Sequence, residues 1–214
     1  MKADRLAVYT SVAIALVTLV LSGYAAAERS VVRVEEGITV EEESEPGRAL
    51  PILIGSTTMK ASPPEILAWL SAVHTYVDWQ HSCEEARVLP QPDGSSLTYN
   101  RIGSPWPVSD RDVVLRTSRE NLANGGIRVE FRNIEDADFA AQSGVVRMPR
   151  MFGSYVLTPN GNGETHIVYT VDSDPGGSLP GWLVRQAAKN LPFNTLKNLR
   201  ERAEAGPPPP GPGD

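Results

Sequence analysis

Cysteine is almost absent: Cys83 is the single one in 214 residues. No intramolecular disulfide is available, so the fold has to hold by packing alone. A basic surplus is missing as well. The formal net charge is −6 and the pI about 5.2, which excludes a wholesale nucleic-acid binder, because neutralising phosphates needs an excess of Lys and Arg. The short signatures of common enzyme sites are also missing. There is no Gly-x-Ser-x-Gly elbow. There is no phosphate loop ending Gly-Lys-Ser/Thr, no Gly-x-Gly-x-x-Gly and no His-Glu-x-x-His. Low apolar content, the mark of a disordered chain, is not found either: 41% of residues are hydrophobic and 21% charged, an ordinary globular balance.

What is present divides the chain into three. Lys2 and Arg5 precede an apolar run from Leu6 to Leu21, and small residues follow, ending Ala25-Ala26-Ala27. A charged start, an apolar middle and an Ala-x-Ala end describe a secretory signal peptide over residues 1–27, with cleavage after Ala27. The same run is long enough to cross a bilayer, so an uncleaved N-terminal anchor is the other reading. Tyr24 stands where a lipidated cysteine would be required, which argues against a lipoprotein. The expected location is outside the cytoplasm, in the periplasm. At the other end, Pro207 to Pro210, Gly211, Pro212 and Gly213 have nothing to bury. Residues 206–214 read as a short, stiff, disordered tail. The folded domain is expected over 28–205. The acidic run from Glu35 to Glu45 reads as a solvated edge or linker.

Inside the domain the order is strand, helix, many strands, helix. Val31 to Val34 and Leu50 to Met59 are strand-like. Ser62 is an N-cap before Pro63, and Ile66, Leu67, Trp69, Leu70 and Val73 repeat at helical spacing. Strand-like runs follow near 85–90, 96–103, 111–120, 127–134, 145–158 and 165–172. Strict alternation turns Val129 and Phe131 inward, and Ile167, Tyr169 and Val171 likewise. Pro92-Asp93-Gly94, Asn124-Gly125-Gly126 and Asn160-Gly161-Asn162-Gly163 supply the turns of an antiparallel meander. A last helix is expected over Leu179 to Ala203, with Pro192 kinking it. A long helix after one large antiparallel sheet gives a two-layer α+β fold.

The segment Ser104-Pro105-Trp106-Pro107-Val108-Ser109-Asp110-Arg111-Asp112-Val113-Val114 resembles the Pro-Trp-Pro, Arg-Asp-Phe-Val signature of START (StAR-related lipid-transfer) domains. Trp79 with Glu85-Ala86-Arg87-Val88-Leu89 is similar to the family's tryptophan and outgoing strand. His166 to Gly177 resembles its penultimate strand and turn, and Leu179 to Val184 the start of its final helix. The resemblance covers about residues 48–204. It implies the helix-grip fold, a curved antiparallel sheet around a long C-terminal helix with a hydrophobic cavity between them. It also implies a lipid or other large apolar ligand, with no cofactor and no catalytic residue. The acidic–basic pair of sterol-binding members has no counterpart: the aligned position carries Thr117, and neither Thr98 nor Asn100 is acidic. An aromatic cage for a quaternary ammonium is not identifiable among Phe131, Tyr155, Tyr169 and Trp182.

On this reading the cavity lining is Val129, Phe131, Met148, Tyr155, Ile167, Tyr169, Val184, Ala188, Leu191, Thr195 and Leu199, with Arg116 as a polar contact. Arg111 and Asp112 read as a structural charge pair, and Trp106 as a rigid packing turn. The gate is expected either at the loop Glu135 to Gly144 or at the final helix near Pro192, a proline that equally fits a static kink. Arg185, Lys189, Lys197, Arg200 and Arg202 outnumber Glu201 and Glu204 on that helix. They serve either transient docking to anionic head groups or the helix dipole. His74, Asp78, His81 and Cys83 have metal-ligand spacing only on an unbroken helix, and the resemblance ends the helix before His81, so no metal is expected. The chain is expected to be a monomer. The competing function is a cavity enzyme of the cyclase or aromatase type, acting on an apolar or aromatic substrate.

Overall fold

The computed structural model describes residues 27–90, 96–135, 139–140 and 142–211. The expected signal segment up to residue 26, the Pro92-Asp93-Gly94 turn and the last three residues of the tail lie outside the described residues. So do parts of the loop between Glu135 and Gly144.

Alternation at the start of the domain builds a hairpin. Strand β1 (Glu28–Glu35) turns through Glu36 and Gly37, at φ 50° and 71°, into β2 (Ile38–Ser44). The acidic run is therefore a strand and not a linker. Ile38 and Val40 are fully buried, while Thr39 between them and Glu41 to Glu43 after them are half-buried, and Arg29 donates to Glu43 at 3.0 Å. Period-two patterning decides the matter: an apolar residue at every second position buries one face whatever charge the other carries.

The chain continues through β3 (Ile52–Met59), α1 (Pro63–Ser71), a 3₁₀ turn (Val73–Thr75) and α2 (Tyr76–Trp79). It then runs through β4 (Cys83–Pro90), β5 (Ser96–Ile102), β6 (Arg111–Asn121), β7 (Ile127–Asn133), β8 (Val146–Arg147), β9 (Arg150–Gly161) and β10 (Glu164–Asp174). It ends in α3 (Gly181–Ala205). At the start of α1, the Glu65 carboxylate accepts from both the N–H and the hydroxyl of Ser62, each at 2.7 Å.

The strands form one sheet in the order β1-β2-β3-β10-β9-β7-β6-β5-β4. Every neighbouring pair along it is antiparallel, while the short β8 adds in parallel to β6. Helix α3 lies against β2 and β3, which makes the fold an α+β helix-grip. The main core sits between sheet and helix around Ile167, Leu157, Leu196 and Leu199, all fully buried. A smaller cluster of Leu97, Tyr99 and Val114 lies on the opposite face of β5 and β6 and packs with Phe139. The Arg87 guanidinium stands 4.9 Å from both the Tyr99 and the Phe139 ring.

Pro192 lies within α3, which runs through it as one helix. Its ring packs where β3 has no side chain: a β-carbon on Gly55 would stand 2.9 Å from Pro192 Cβ and 2.8 Å from Leu196 Cδ1. Gly55 lets the helix settle onto the sheet at this point. The tail differs from the free segment expected of it. Trp69 Nε1 donates to the Gly206 carbonyl at 2.8 Å, and His74 Nε2 lies 3.2 Å from the Pro209 carbonyl, so the described tail residues lie along α1 and the turn after it.

Candidate functional site

The two halves of α3 differ in what they touch. After Pro192 the helix is core, with Phe193, Thr195, Leu196, Leu199 and Ala203 buried. Its partners are fixed: Asn198 donates to the Trp79 carbonyl at 2.8 Å, Arg202 to the Asp78 carbonyl at 3.3 Å, and Arg200 to the Glu36 carbonyl at 2.8 Å. Before Pro192, Leu183, Val184, Ala187, Ala188 and Leu191 line a cavity of about 380 Å³. The opposing wall includes Leu53, Met148, Met151 and Val171, so the chamber is apolar on both sides.

Beyond this chamber lies a pit of about 80 Å³. His81, Ile102, Met151 and Leu191 line both spaces and form the neck between them. The lining of the pit includes Val129, Phe131, Tyr155 and Tyr169 together with Gln80, Thr98, Asn100, Thr117 and Thr195, of which Thr117 is exposed. Tyr155 and Tyr169 stack with ring centroids 4.3 Å apart. Burial pushes the hydroxyl pKa of both, and of Tyr76, well above the ordinary phenol value. The Cys83 thiol is likewise pushed up to about 11 by burial. The His81 imidazole is pulled below its ordinary value by burial and has Asn194 Nδ2 at 3.3 Å from its Nδ1. These groups are neutral near pH 7. Asn100 is 5% exposed, and its Oδ1 is buried without a hydrogen-bond partner.

One charged residue lines the outer chamber. Arg111 is buried and is held by main-chain oxygens, donating to Ser109 at 2.5 Å, Gly176 at 3.3 Å and Pro175 at 3.4 Å. Burial lowers its pKa. Asp112, the next residue, faces the other side of the sheet and accepts from Arg147 Nε at 2.7 Å. Arg111 and Asp112 are therefore not a pair with each other, because neighbours on a strand point to opposite faces. Trp106 is not a packed turn: it is 92% exposed, next to Pro105 of the chamber rim.

Of the residues expected to line the cavity, Met148, Val184, Ala188 and Leu191 meet the chamber, and Val129, Phe131, Tyr155, Tyr169, Leu191 and Thr195 meet the pit. Ile167 and Leu199 line neither. Both are fully buried core, because the helix has closed onto the sheet beyond Gly55. Arg116 also lines neither: it is exposed, on the face of β6 away from the pit. Sequence reasoning missed Leu53, His81, Asn100, Ile102, Arg111 and Met151. A signal for Asn100 existed in the strand pattern Leu97-Thr98-Tyr99-Asn100, but apolar alternation reads Leu97 and Tyr99 as the inward pair, whereas they fill the outer-face cluster. Thr117, Thr98 and Asn100, the positions compared with the sterol-type pair, do converge on the pit. His74 and His81 diverge, one to the tail and one to α3. Among the described residues no three His, Cys, Asp or Glu side chains are grouped to hold a metal.

The sequence profile of the START domain matches residues 52–206. An uncharacterized protein of Pseudomonas aeruginosa is 35% identical over 170 residues, covering 79% of this chain and 84% of that protein. The phosphatidylcholine transfer protein of Rattus norvegicus is 30% identical over 110 residues, which are 50% of this chain and 51% of that protein. Among solved structures, a STAR-related lipid transfer protein fragment from Xanthomonas axonopodis superposes with a TM-score of 0.74 at 30% identity, covering 82% of this chain and 98% of that one. The human StAR-related lipid transfer protein 5 shares the fold, with a TM-score of 0.72 at 16% identity, over 83% of this chain and 86% of that one.

Proposed function

The chain belongs to the START domain family, and from that premise we propose that it binds a lipid or other large apolar molecule in the cavity under α3 and carries it between membranes outside the cytoplasm. The observation that supports this best is the apolar chamber of about 380 Å³ beneath the first half of α3, continuing through a neck into a pit. Each methylene taken from water into such a space contributes about 0.8 kcal/mol, so a chain of ordinary length is held without any covalent step. Relatives named as lipid transfer proteins favour the same reading. The location rests on the N-terminal sequence of residues 1–27.

Loading needs an opening. The first half of α3 is the wall whose removal opens the chamber, and few fixed contacts hold it, whereas the second half is tied to α2 and to the β1–β2 turn. We therefore put the gate in residues 181–191, with Pro192 as the hinge. The outward side of that half carries Trp182, Arg185 and Lys189, all exposed, and Trp106, next to Pro105 of the chamber wall, is exposed as well. An aromatic and cationic rim suits the surface of an anionic bilayer. Lys197 and Arg200 are engaged with Glu36 and belong to the fold instead.

The test is native mass spectrometry of protein purified without detergent stripping, followed by uptake from lipid vesicles. A defined bound mass of a lipid, exchanged on incubation with vesicles, is expected. Protein that carries none and takes none up overturns the reading. Conversion of a bound apolar substrate into product would replace it with a cavity enzyme.

A further inference from the structure

We infer that His81 sets loading of the cavity against protonation, so that an apolar ligand is held near neutral pH and released as the pH falls; this deepens, and rests on, the apolar-ligand reading above. The imidazole is half-buried and lines both the chamber and the pit. It shares the neck with Ile102, Met151 and Leu191, none of which can partner a charge. Neither lining contains Asp or Glu, and the one permanent charge in either is the Arg111 guanidinium, itself a cation. The other titratable groups of the two linings are Tyr76, Cys83, Tyr155 and Tyr169, and burial keeps all four neutral. From α3 the ring meets Leu191 and the Asn194 amide. Asp78 and Glu84, the acidic residues nearest to it in the chain, are exposed. Burial alone pulls the imidazole below its ordinary value.

A half-buried imidazolium is tolerated while water reaches it. A hydrocarbon passing through the neck takes that water away and offers no acceptor, so the charged ring loses far more than the neutral one. Asn194 does not alter this balance. Its amide can donate to the neutral ring or, after a flip, accept from the protonated one. A ligand that fills the neck therefore lowers the imidazole pKa, and by reciprocity the bound proton lowers ligand affinity. The sign follows: affinity is full above the pKa of the ligand-free ring, declines as the pH falls through it, and levels off below the lower pKa of the loaded protein. An anionic bilayer surface gathers protons along with other cations, so unloading is favoured where the ligand is delivered.

The full-length protein, freed of lipid, is titrated with 1-dodecanol, a probe uncharged throughout, between pH 8 and pH 5 at constant salt. Dodecanol is expected to bind about tenfold less tightly at pH 5 than at pH 8, the fold-change that accompanies a tenfold change in the proton affinity of one ring. In His81→Gln the affinity should not change with pH, although His74 and His166 are still present. His81→Phe gives the same reading if glutamine prevents folding. A measurement that needs no variant is the NMR titration of the histidine ring protons: the His81 signal should titrate at lower pH with dodecanol bound than without, while those of the exposed His74 and His166 stay where they were. A flat pH profile in the unsubstituted protein overturns the inference and leaves apolar binding intact. Affinity that rises on acidification overturns it too, as does a pH dependence that survives loss of His81, or a His81 titration that dodecanol does not move. Failure to bind dodecanol at any pH overturns the underlying lipid-binding reading itself.

Discussion

A β-carbon on Gly153 would collide with the Thr170 carbonyl oxygen and the Phe131 ring. Phe131 is a wall of the pit, so this glycine keeps β9 and β10 paired and lets the aromatic side chain lie flat over the strand. Gly55 is a milder case, since the Leu196 end it would meet at 2.8 Å can turn away while the Pro192 ring cannot. Gly153→Ala is expected to cost about 2–3 kcal/mol, or roughly 4–12 °C in Tm, and Gly55→Ala less. Urea and thermal unfolding of the two variants give the ranking, and the reverse order would show that the helix contact matters more than the strand contact. Neither role was legible in the sequence. A glycine in a strand reads as a weak point, and only the neighbours brought in by pairing explain it. Phe131, Tyr155 and Tyr169 were legible, because strict alternation names their face. Arg116 and Asn100 were not, because β5 and β6 carry apolar residues on both faces and periodicity then has no preferred side.

At the scale of elements, α3 is one helix with two tasks. Its length and apolar stripe were readable from Val184, Ala188, Leu191, Thr195 and Leu199 at helical spacing. Its division at Pro192 into a cavity wall and a core segment was not, since both halves carry the same stripe. The charges divide in the same way. Lys197 bonds Glu36 at 2.7 Å, whereas Arg185 and Lys189 face water. The double variant Arg185→Ala, Lys189→Ala is expected to weaken binding to anionic vesicles at low salt by tenfold or more, at about 1 kcal/mol per cation. Trp106→Ala should weaken it further with little change in unfolding free energy, because that ring is 92% exposed and exposed sites usually move stability by less than about 0.5 kcal/mol. Lys197→Ala should leave vesicle binding as it was. Co-sedimentation with vesicles, set beside unfolding curves, separates the two classes. Equal effects from Lys197 and Lys189 would show that the whole helix docks.

For the molecule as a whole, the hairpin of β1 and β2 carries more than its composition promises. The family match starts at residue 52, yet the sheet extends two strands further, and Ile38 and Val40 are fully buried under α3. Arg33 lies 3.4 Å over the Phe193 ring and donates to Asn190 at 3.1 Å, tying the edge strand to the helix on either side of Pro192. Removing residues 1–51 would uncover the edge of β3 and open the core beside Gly55. The truncated chain is expected to unfold at lower temperature and to self-associate through the bare edge, which thermal unfolding and size-exclusion chromatography would detect. An unchanged midpoint would reduce the hairpin to an ornament of the sheet.

From the sequence alone came the kind of fold and the family. Strand alternation, turn chemistry and one long amphipathic helix specify a sheet gripping a helix, and the Pro-Trp-Pro and Arg-Asp run places that sheet in a family. These signals are local, written in spacings of two and of three to four residues. The cavity is not local. Its walls come from β3, β6, β9, β10 and the first half of α3, and beyond them Ile167 and Leu199 belong to the packed core. Whether an inward side chain meets empty space or another side chain depends on how closely two distant segments approach. Tertiary structure therefore decided that Ile167 and Leu199 are core, that Arg116 faces water, and that Asn100 lines the pit.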